Sequence, residues 1–574
     1  MTEHRAWFAS YQDGVPKTLE PYPDISVFTM LESAARRFPD APAIAWLGRR
    51  LSYGWLLSEV ERCSAVLSSL GVGKGDRVAL VMPNCPQYVI AYYAVARIGA
   101  VVVGNNPLYT KREMKDQLQD SGSEVVVVLD LLHGDFAGVF QELALRVVVA
   151  RLNDYLTFPK KQLAPVLRFR KMQREQGKAW PPVPEGAPVE WWHRLMKAAL
   201  PIPPVATVDP AHDASGFIYT GGTTGVSKGA MLSHRNLVSN AMQAAVYVGL
   251  VDGKEGLLCA LPFFHSFGML AMNVGILKAG KLALVPNPRD LHLVLETMAK
   301  EKPTFFPGVP RMFAAINESP LADTLDLRSV RACVSGGAPL PQAVAKRFAE
   351  ITGGARLVEG YGLTETSPVT HANPFDGRDR PGSIGLPMPD TDCKIVDLQD
   401  PEKVVGPGER GELAVRGPQI MLGYWNRPEE TARTIINGWL HTGDVAVMDP
   451  DGFFRIVDRI KEMILVSGFN VYPTEVEEVL YHHPKIQKVC VAGVPDPKTG
   501  EAVKAYIVLE PGQTATAEEI VAWCRDPQQG LAGYRVPKQI EFRESLPETL
   551  IGKVLRRVLQ EEERQKAAKA GTPG

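Results

Sequence analysis

The run richest in chemically capable residues is Tyr219-Thr220-Gly221-Gly222-Thr223-Thr224-Gly225-Val226-Ser227-Lys228-Gly229-Ala230. Thr220, Thr223 and Thr224 offer small hydroxyl donors. The glycines let backbone N–H groups approach an anion closely, and Lys228 adds a point charge, so the chemistry offered is phosphate binding. A Walker A loop requires G-x-x-x-x-G-K-[ST], whereas here the lysine precedes its glycine and no hydroxyl residue follows it, so an ordinary P-loop is excluded. Taken alone, the run also fits a plain Gly/Thr-rich turn.

Further motifs follow in order. Leu261-Pro262-Phe263-Phe264-His265-Ser266-Phe267-Gly268 sets a histidine among aromatics, where it serves either as a packed core residue or as a catalyst. Ser335-Gly336-Gly337-Ala338-Pro339-Leu340 follows an apolar strand, so its glycines sit at a strand's C-terminal end, where open α/β sheets bind ligands. Glu359-Gly360-Tyr361-Gly362-Leu363-Thr364-Glu365 couples an aromatic able to stack on a base with a hydroxyl for phosphate and a carboxylate for a hard metal. A site in which anions meet calls for Mg²⁺, which takes one or two carboxylates and keeps its waters; Glu365 with Thr220 is the candidate pair. Trp439-Leu440-His441-Thr442-Gly443-Asp444 supplies in Asp444 an acceptor for ribose hydroxyls. Asp458-Arg459-Ile460-Lys461 reads by itself as a charged linker, and Lys553 in Leu546-Pro547-Glu548-Thr549-Leu550-Ile551-Gly552-Lys553 reads by itself as a surface residue.

In this order the motifs resemble those of the adenylate-forming superfamily of acyl-CoA synthetases, peptide-synthetase adenylation domains and luciferases, over nearly the whole chain, and most resemble bacterial long-chain fatty acid:CoA ligases. The resemblance implies ATP, Mg²⁺ and coenzyme A as co-reactants with a fatty acid. It implies nucleotide contacts at Thr220, Gly221, Gly222, Thr223, Thr224, Gly225, Ser227, Lys228, Gly337, Ala338, Pro339, Glu359, Gly360, Tyr361, Gly362, Thr364, Asp444, Ile456 and Arg459. It places His265 between acyl group and nucleotide and makes Lys553, with His265 and Thr224, the catalytic set. Lys461 becomes a hinge and Gly468 part of the pantetheine channel. Glu548 stands where many relatives carry a basic residue, and Leu465 and Ser467 stand where some aromatic-acid ligases carry lysines. Transfer of the acyl group to a different acceptor, activation of a medium-chain or aromatic acid, and a non-catalytic acyl-nucleotide sensor are the competing readings.

These residues need a scaffold of several lobes, and 574 residues are too many for one core. Residues 77–84, a helix from Pro86 to 98, a strand at 100–103, a helix at 111–120 and a strand at 124–129 give the βαβα alternation of a parallel sheet. The pattern repeats with strands at 257–261, 282–285, 304–306 and 330–335 and helices at 267–277, 311–317 and 341–351. The expected fold is therefore α/β: a large domain, 1–457, of two related sublobes plus a β-rich lobe beyond about 383, and a small mobile α+β domain, 458–574. That last domain is expected to hold strands at 463–466, 486–493 and 502–509 and helices at 474–482 and 516–524.

Lys+Arg of 63 against Asp+Glu of 64 leave a net charge of −1, which argues against nucleic acid as a partner. Seven scattered cysteines without C-x-x-C spacing indicate reduced thiols in a cytoplasmic protein. The first 22 residues lack the apolar region of a signal peptide. The most apolar run, 88–104, is broken by Arg97 and Gly99 and falls short of the roughly 18 residues a membrane span needs. The insertion 158–200 collects Lys160, Lys161, Arg168, Arg170, Lys171, Arg174 and Lys178, with Trp180, Trp191 and Trp192. It reads either as a charged surface insertion or as a Trp-anchored patch that binds the inner face of the membrane reversibly. The resemblance further implies a homodimer.

Overall fold

The computed structural model describes residues 5–157, 159, 189–220, 227–496, 498–526, 528, 531, 533–548 and 554–570. The chain forms two compact units, one of Trp7–Asp392 with Arg416–Leu440, the other of Met1–Ala6, Cys393–Val415 and His441–Gly574.

In the larger unit the strands are β1 (Pro42–Trp46), β2 (Arg49–Ser52), β3 (Arg77–Val81), β4 (Val101–Gly104), β5 (Val125–Leu129), β6 (Arg146–Ala150), β7 (Val189–Trp191), β8 (Ala214–Thr220), β9 (Lys228–Ser233), β10 (Gly256–Cys259), β11 (Lys281–Leu284), β12 (Phe305–Gly308), β13 (Ala332–Ser335), β14 (Arg356–Gly362), β15 (Val369–Ala372) and β16 (Leu386–Pro387). One sheet runs β7-β6-β5-β3-β4-β8-β9 and ends on the short strand Gly423–Tyr424. The other runs β2-β1-β11-β10-β12-β13-β14-β15-β16. Their middles are parallel, and the antiparallel pairs stand toward the edges. Unbroken burial of Val125–Leu129 is what a parallel strand covered on both faces requires.

The two sublobes expected from the repeated pattern are these two sheets. In each, neighbouring parallel strands are joined by a helix of 12 residues, Pro86–Arg97 between β3 and β4 and Ser266–Leu277 between β10 and β11. Pro86 stands at the first turn, where its missing N–H costs nothing. These helices pack with Val27–Arg37, Tyr53–Ser69 and His234–Val248 into a shared layer against the sheets. A buried polar pair crosses this layer, Tyr93 donating to Asn273 Oδ1 at 2.8 Å. Local signals set the helix ends: Ser233 and Asn236 form a capping box, and Gly122, Gly249 and Gly353 take the left-handed conformation at C-termini. One feature was absent from the expectation. Residues 42–52 join the second sheet, β1 lying parallel to β11, so the chain's first strands complete a sheet otherwise built from residues 256–387.

The smaller unit contains the hairpin of Trp439–Met448 and Phe454–Arg459, in which Val445 pairs with Asp458. Its second sheet orders Phe469–Val471, Ile464–Val466, Gly500–Leu509 and Ile486–Asp496, with Gln539–Phe542 parallel to Gly500–Leu509. Pro473–Tyr481 and Ala517–Arg525 cover a core of Ile464, Val476, Leu480, Val491, Val503, Ile507 and Ile520.

The insertion requires a correction. Trp191 closes the edge strand β7 with Arg151 over its ring at 4.0 Å, and the indole N–H of Trp192 donates to the Tyr155 hydroxyl at 2.9 Å, which donates to buried Glu59 at 2.9 Å. Both indoles are buried in the fold and unavailable as surface anchors. Trp180 and the seven basic residues lie outside the described residues. Among the described residues no helix is long and apolar enough to cross a membrane. All seven cysteines are buried, and none is in a disulfide.

Candidate functional site

The run that opened the sequence analysis is carried by a β-hairpin. Thr220 ends β8 and Lys228 begins β9, the two residues are register partners, and the Ser227 hydroxyl donates to the Thr220 carbonyl at 2.8 Å. Gly221, Gly222, Thr223, Thr224 and Gly225 connect the strands and lie outside the described residues. The hairpin's ends are held from outside: Tyr219 donates to Asp120 at 2.7 Å, Arg427 reaches the same carboxylate at 2.8 Å, and the Trp425 indole donates to the Asp120 carbonyl at 3.0 Å. Asp120 was not singled out in the sequence, because a carboxylate at a helix end gives no local sign of three partners drawn from residues 219 and 425–427.

Lys228 pairs with Glu430 and lies 5.4 Å from the centre of the Tyr424 ring. The Tyr424 hydroxyl donates to Glu365 Oε1 at 2.7 Å. Burial, followed by the charge of Glu365, pushes the phenol's pKa up, so it stays protonated and a donor. Glu365 itself sits in the short helix Thr364–Thr366, which packs on β8 and β9, and its carbonyl accepts from Met421 N at 2.9 Å. The fold thus brings Lys228 and Glu365, far apart in sequence, to one tyrosine.

His265 caps the helix Ser266–Leu277, its Nδ1 accepting from Phe267 N at 3.3 Å. The residue is open to solvent, and desolvation by the protein atoms around it pulls its pKa below the usual value. The loop before it is fixed by buried Asn84, whose amide donates to the carbonyls of Cys259 at 2.9 Å and Leu261 at 2.8 Å while its oxygen accepts from Phe263 N at 2.9 Å. Gly268 is forced: a Cβ there would collide with the Pro262 carbonyl. Ser266 reaches Thr364 at 3.4 Å, which brings the histidine loop to the Glu365 segment.

The two glycine turns meet at the C-terminal ends of β13 and β14, where Ser335 and Glu359 are register partners. Glu359 Oε2 accepts from Leu340 N at 3.0 Å and so closes the turn that holds Gly337, Ala338 and Pro339. Burial raises its pKa to about 7. Gly336 packs against the Phe267 ring, and Gly360 and Tyr361 continue β14, the tyrosine meeting His371 edge-on at 5.9 Å. Gly362 ends β14 just before the Thr364 turn.

The remaining residues belong to the smaller unit. Asp444 and Arg459 face each other across a hairpin and form an ion pair at 3.1 Å. Ile456 lies on the same strand opposite Ala446. His441 contacts Glu412 at 2.8 Å, and the other oxygen of Glu412 accepts from Gly443 N at 2.9 Å. Lys461 is the middle residue of the turn Ile460–Glu462, and Gly468 turns the hairpin between Ile464–Val466 and Phe469–Val471 with a φ of 84°. Lys553 lies outside the described residues. Its flanks are tied together, Glu548 bridging to Val554 and Leu555 N donating to the Pro547 carbonyl at 2.7 Å.

Among the described residues no three His, Cys, Asp or Glu side chains gather into a metal cluster. Glu365 Oε1 is engaged by Tyr424, while its second oxygen accepts no hydrogen bond from a described residue. One available carboxylate on the short helix that packs on β8 and β9 suits Mg²⁺, which draws most of its shell from water and substrate phosphates.

Residues 31–425 match the family described as AMP-binding enzyme and residues 475–553 the AMP-binding enzyme C-terminal domain. The chain is 43% identical to a long-chain-fatty-acid--CoA ligase of Bacillus subtilis (strain 168), covering 98% of this chain and 99% of that protein. It is 41% identical to a long-chain-fatty-acid--CoA ligase of Escherichia coli O157:H7, with the same coverage. Among solved structures it is similar to the anthranilate CoA ligase AuaEII in complex with anthranoyl-AMP, with a TM-score of 0.81 at 27% identity over 95% of this chain and 99% of that one.

Proposed function

The chain belongs to the AMP-binding enzyme family, and on that premise we propose that it joins a long-chain fatty acid to coenzyme A at the expense of ATP. The observation that carries this reading is identity above 40% along the full length of long-chain-fatty-acid--CoA ligases. The meeting of Lys228, Glu365, His265 and the two glycine turns in one unit supports it.

A carboxylate oxygen attacks the α-phosphorus of ATP, the bond to pyrophosphate breaks, and acyl-AMP forms. The thiolate of CoA then attacks the acyl carbon and AMP leaves. Both reactants of the first step are anions, so positioning and positive charge are the main requirements. Lys228 and Lys553 supply that charge, with Thr220, Ser227, Thr224 and the loop amides around the phosphates. Glu365 and Thr220 would hold a Mg²⁺ ion, which would supply further positive charge toward the phosphates. Pro339, Ala338, Gly337 and Glu359 to Gly362 wall the base, with Tyr361 stacking, while Asp444, Ile456 and Arg459 take the ribose. His265, neutral at pH 7, separates acyl group from nucleotide. The domain beginning at 458 turns about Lys461 to bring Gly468 to CoA for the second step.

The remaining parts of the reading are a cytoplasmic homodimer that docks reversibly on the anionic inner face of the membrane. With Trp191 and Trp192 in the core, docking rests on the basic residues between 160 and 178. Each adds about 1 kcal/mol near anionic lipid and is screened by salt.

The test is CoA-dependent AMP release across acids of graded length. Each buried CH₂ adds about 0.8 kcal/mol, so affinity climbs steeply toward hexadecanoate. Better turnover of acetate or benzoate than of hexadecanoate overturns the reading.

A further inference from the structure

We propose that Tyr424 is a positioning residue that sets both the phosphate lysine and the metal carboxylate, through its ring face for Lys228 and its hydroxyl for Glu365. The inference deepens the reading above and rests on its assignments of those two residues.

The tyrosine's own placement is over-determined. Gly423 and Tyr424 pair with Met231 and Ala230 on β9, so the tyrosine's backbone lies beside the strand that begins with Lys228. Leu422 N donates to the Met231 carbonyl at 2.9 Å and Trp425 N to the Gly229 carbonyl at 2.8 Å, fixing register on both sides. Tyr424 N donates to the Thr431 hydroxyl at 2.9 Å, and that threonine packs so closely on Gly423 that a Cβ there would lie 2.7 Å from its methyl. The segment therefore cannot slide along β9 without breaking contacts on three sides.

The two ends of the side chain then do different work. The ring, 5.4 Å from the Lys228 ammonium, offers a face attractive to a cation and so steadies the lysine while its counter-ion exchanges. Glu430, the carboxylate on the same ammonium, is such an exchangeable partner. The hydroxyl, 2.7 Å from Glu365 Oε1, occupies one carboxylate oxygen and leaves the other without a hydrogen bond from a described residue. A carboxylate with one oxygen so engaged offers a metal a single ligand rather than a bidentate pair, the mode that suits the tight octahedron of Mg²⁺. Tyr424 makes neither contact to substrate in this account; it acts through its two neighbours.

The two roles separate by substitution. Tyr424→Phe keeps the ring and removes the hydroxyl, and Tyr424→Leu removes both. Binding of a non-hydrolysable methylene analogue of ATP to the full chain is measured by calorimetry with Mg²⁺ and with EDTA, on variants whose thermal unfolding matches wild type. Tyr424→Phe is expected to retain Mg²⁺-free affinity within about twofold and to lose about tenfold of the gain that Mg²⁺ provides, the scale of one hydrogen bond to a charged group. Tyr424→Leu is expected to lose a further ~5-fold without Mg²⁺, the scale of a cation over a ring. A Tyr424→Phe chain with the wild-type gain from Mg²⁺ overturns the inference alone. A wild-type chain whose affinity ignores Mg²⁺ overturns the assignment of Glu365, and the inference falls with it.

Discussion

Single buried carboxyls carry a measurable signature here. Glu359 ordinarily titrates near 4.5, and in the fold burial raises it to about 7. Below pH 4.5 both folded and unfolded states hold the proton, and the group costs nothing. As pH rises toward 7 the unfolded chain gives up the proton while the folded one keeps it, so stability falls, by at most about 3 kcal/mol above pH 7. Gln at 359 still accepts the Leu340 N–H and has no charge to desolvate. Unfolding free energies of Glu359→Gln and wild type are expected to agree near pH 4.5 and to diverge in the mutant's favour by about 1–3 kcal/mol by pH 8. Parallel profiles mean that the carboxylate is satisfied and the cause assigned to its shift is wrong. Glu359 was legible in the sequence because a Gly-Tyr-Gly turn followed it. Asn84 and Asp120 were not, since each acts through backbone and side chains remote in sequence.

At the scale of elements, the smaller unit turns on Arg556 at the start of the helix Arg556–Ala570. Its guanidinium pairs with Glu462 in the turn Ile460–Glu462 and with Glu477 of the helix Pro473–Tyr481 at 2.7 Å. Burial alone would lower its pKa, yet Glu477 and Glu462 outweigh this and raise it. The cost falls on the carboxylates: burial raises Glu477 and Asp458, and Arg556 pulls both back. Arg556→Met leaves these acids without their cation, a change worth about 3–5 kcal/mol for a buried pair broken from one side. Hydrogen exchange is expected to show lost protection in Ile486–Asp496 and Gly500–Leu509, with β3 to β6 unchanged. Equal loss in β3 to β6 means that the network stabilises more than its own unit. Elements themselves were well read from the sequence: apolar runs bounded by turn residues gave β3 to β5, and Pro86 marked a helix start.

For the whole molecule, the proposed reaction asks one chain to do two steps with one lysine. If Lys553 serves only the attack on ATP, Lys553→Ala loses adenylation by at least 10² to 10³, the worth of one preorganised donor. It is expected to convert pre-made acyl-AMP and CoA to thioester at nearly the wild-type rate. Lys461→Pro, which stiffens the turn at the proposed hinge, is expected to spare pyrophosphate release more than thioester formation. Separate assays of the two half-reactions on folded protein decide the matter, and equal loss of both in Lys553→Ala removes the two-conformation account.

The sequence by itself determined the α/β class, the repeated βαβ pattern and the glycine turn at a strand end, because each depends on residue types within a few positions of one another. It did not determine that residues 42–52 would join the second sheet, since a short strand carries no mark of the edge it will find. Nor did it show that Trp191 and Trp192 would be core. An indole beside lysines has the composition of a membrane anchor, and only Arg151, Tyr155 and Glu59, brought in by the fold, make it a buried one. The same holds at the site: Lys228, Glu365 and Tyr424 come from three separate stretches of the larger unit, and it was packing of three separate strands and turns that put one phenol between a cation and an acid.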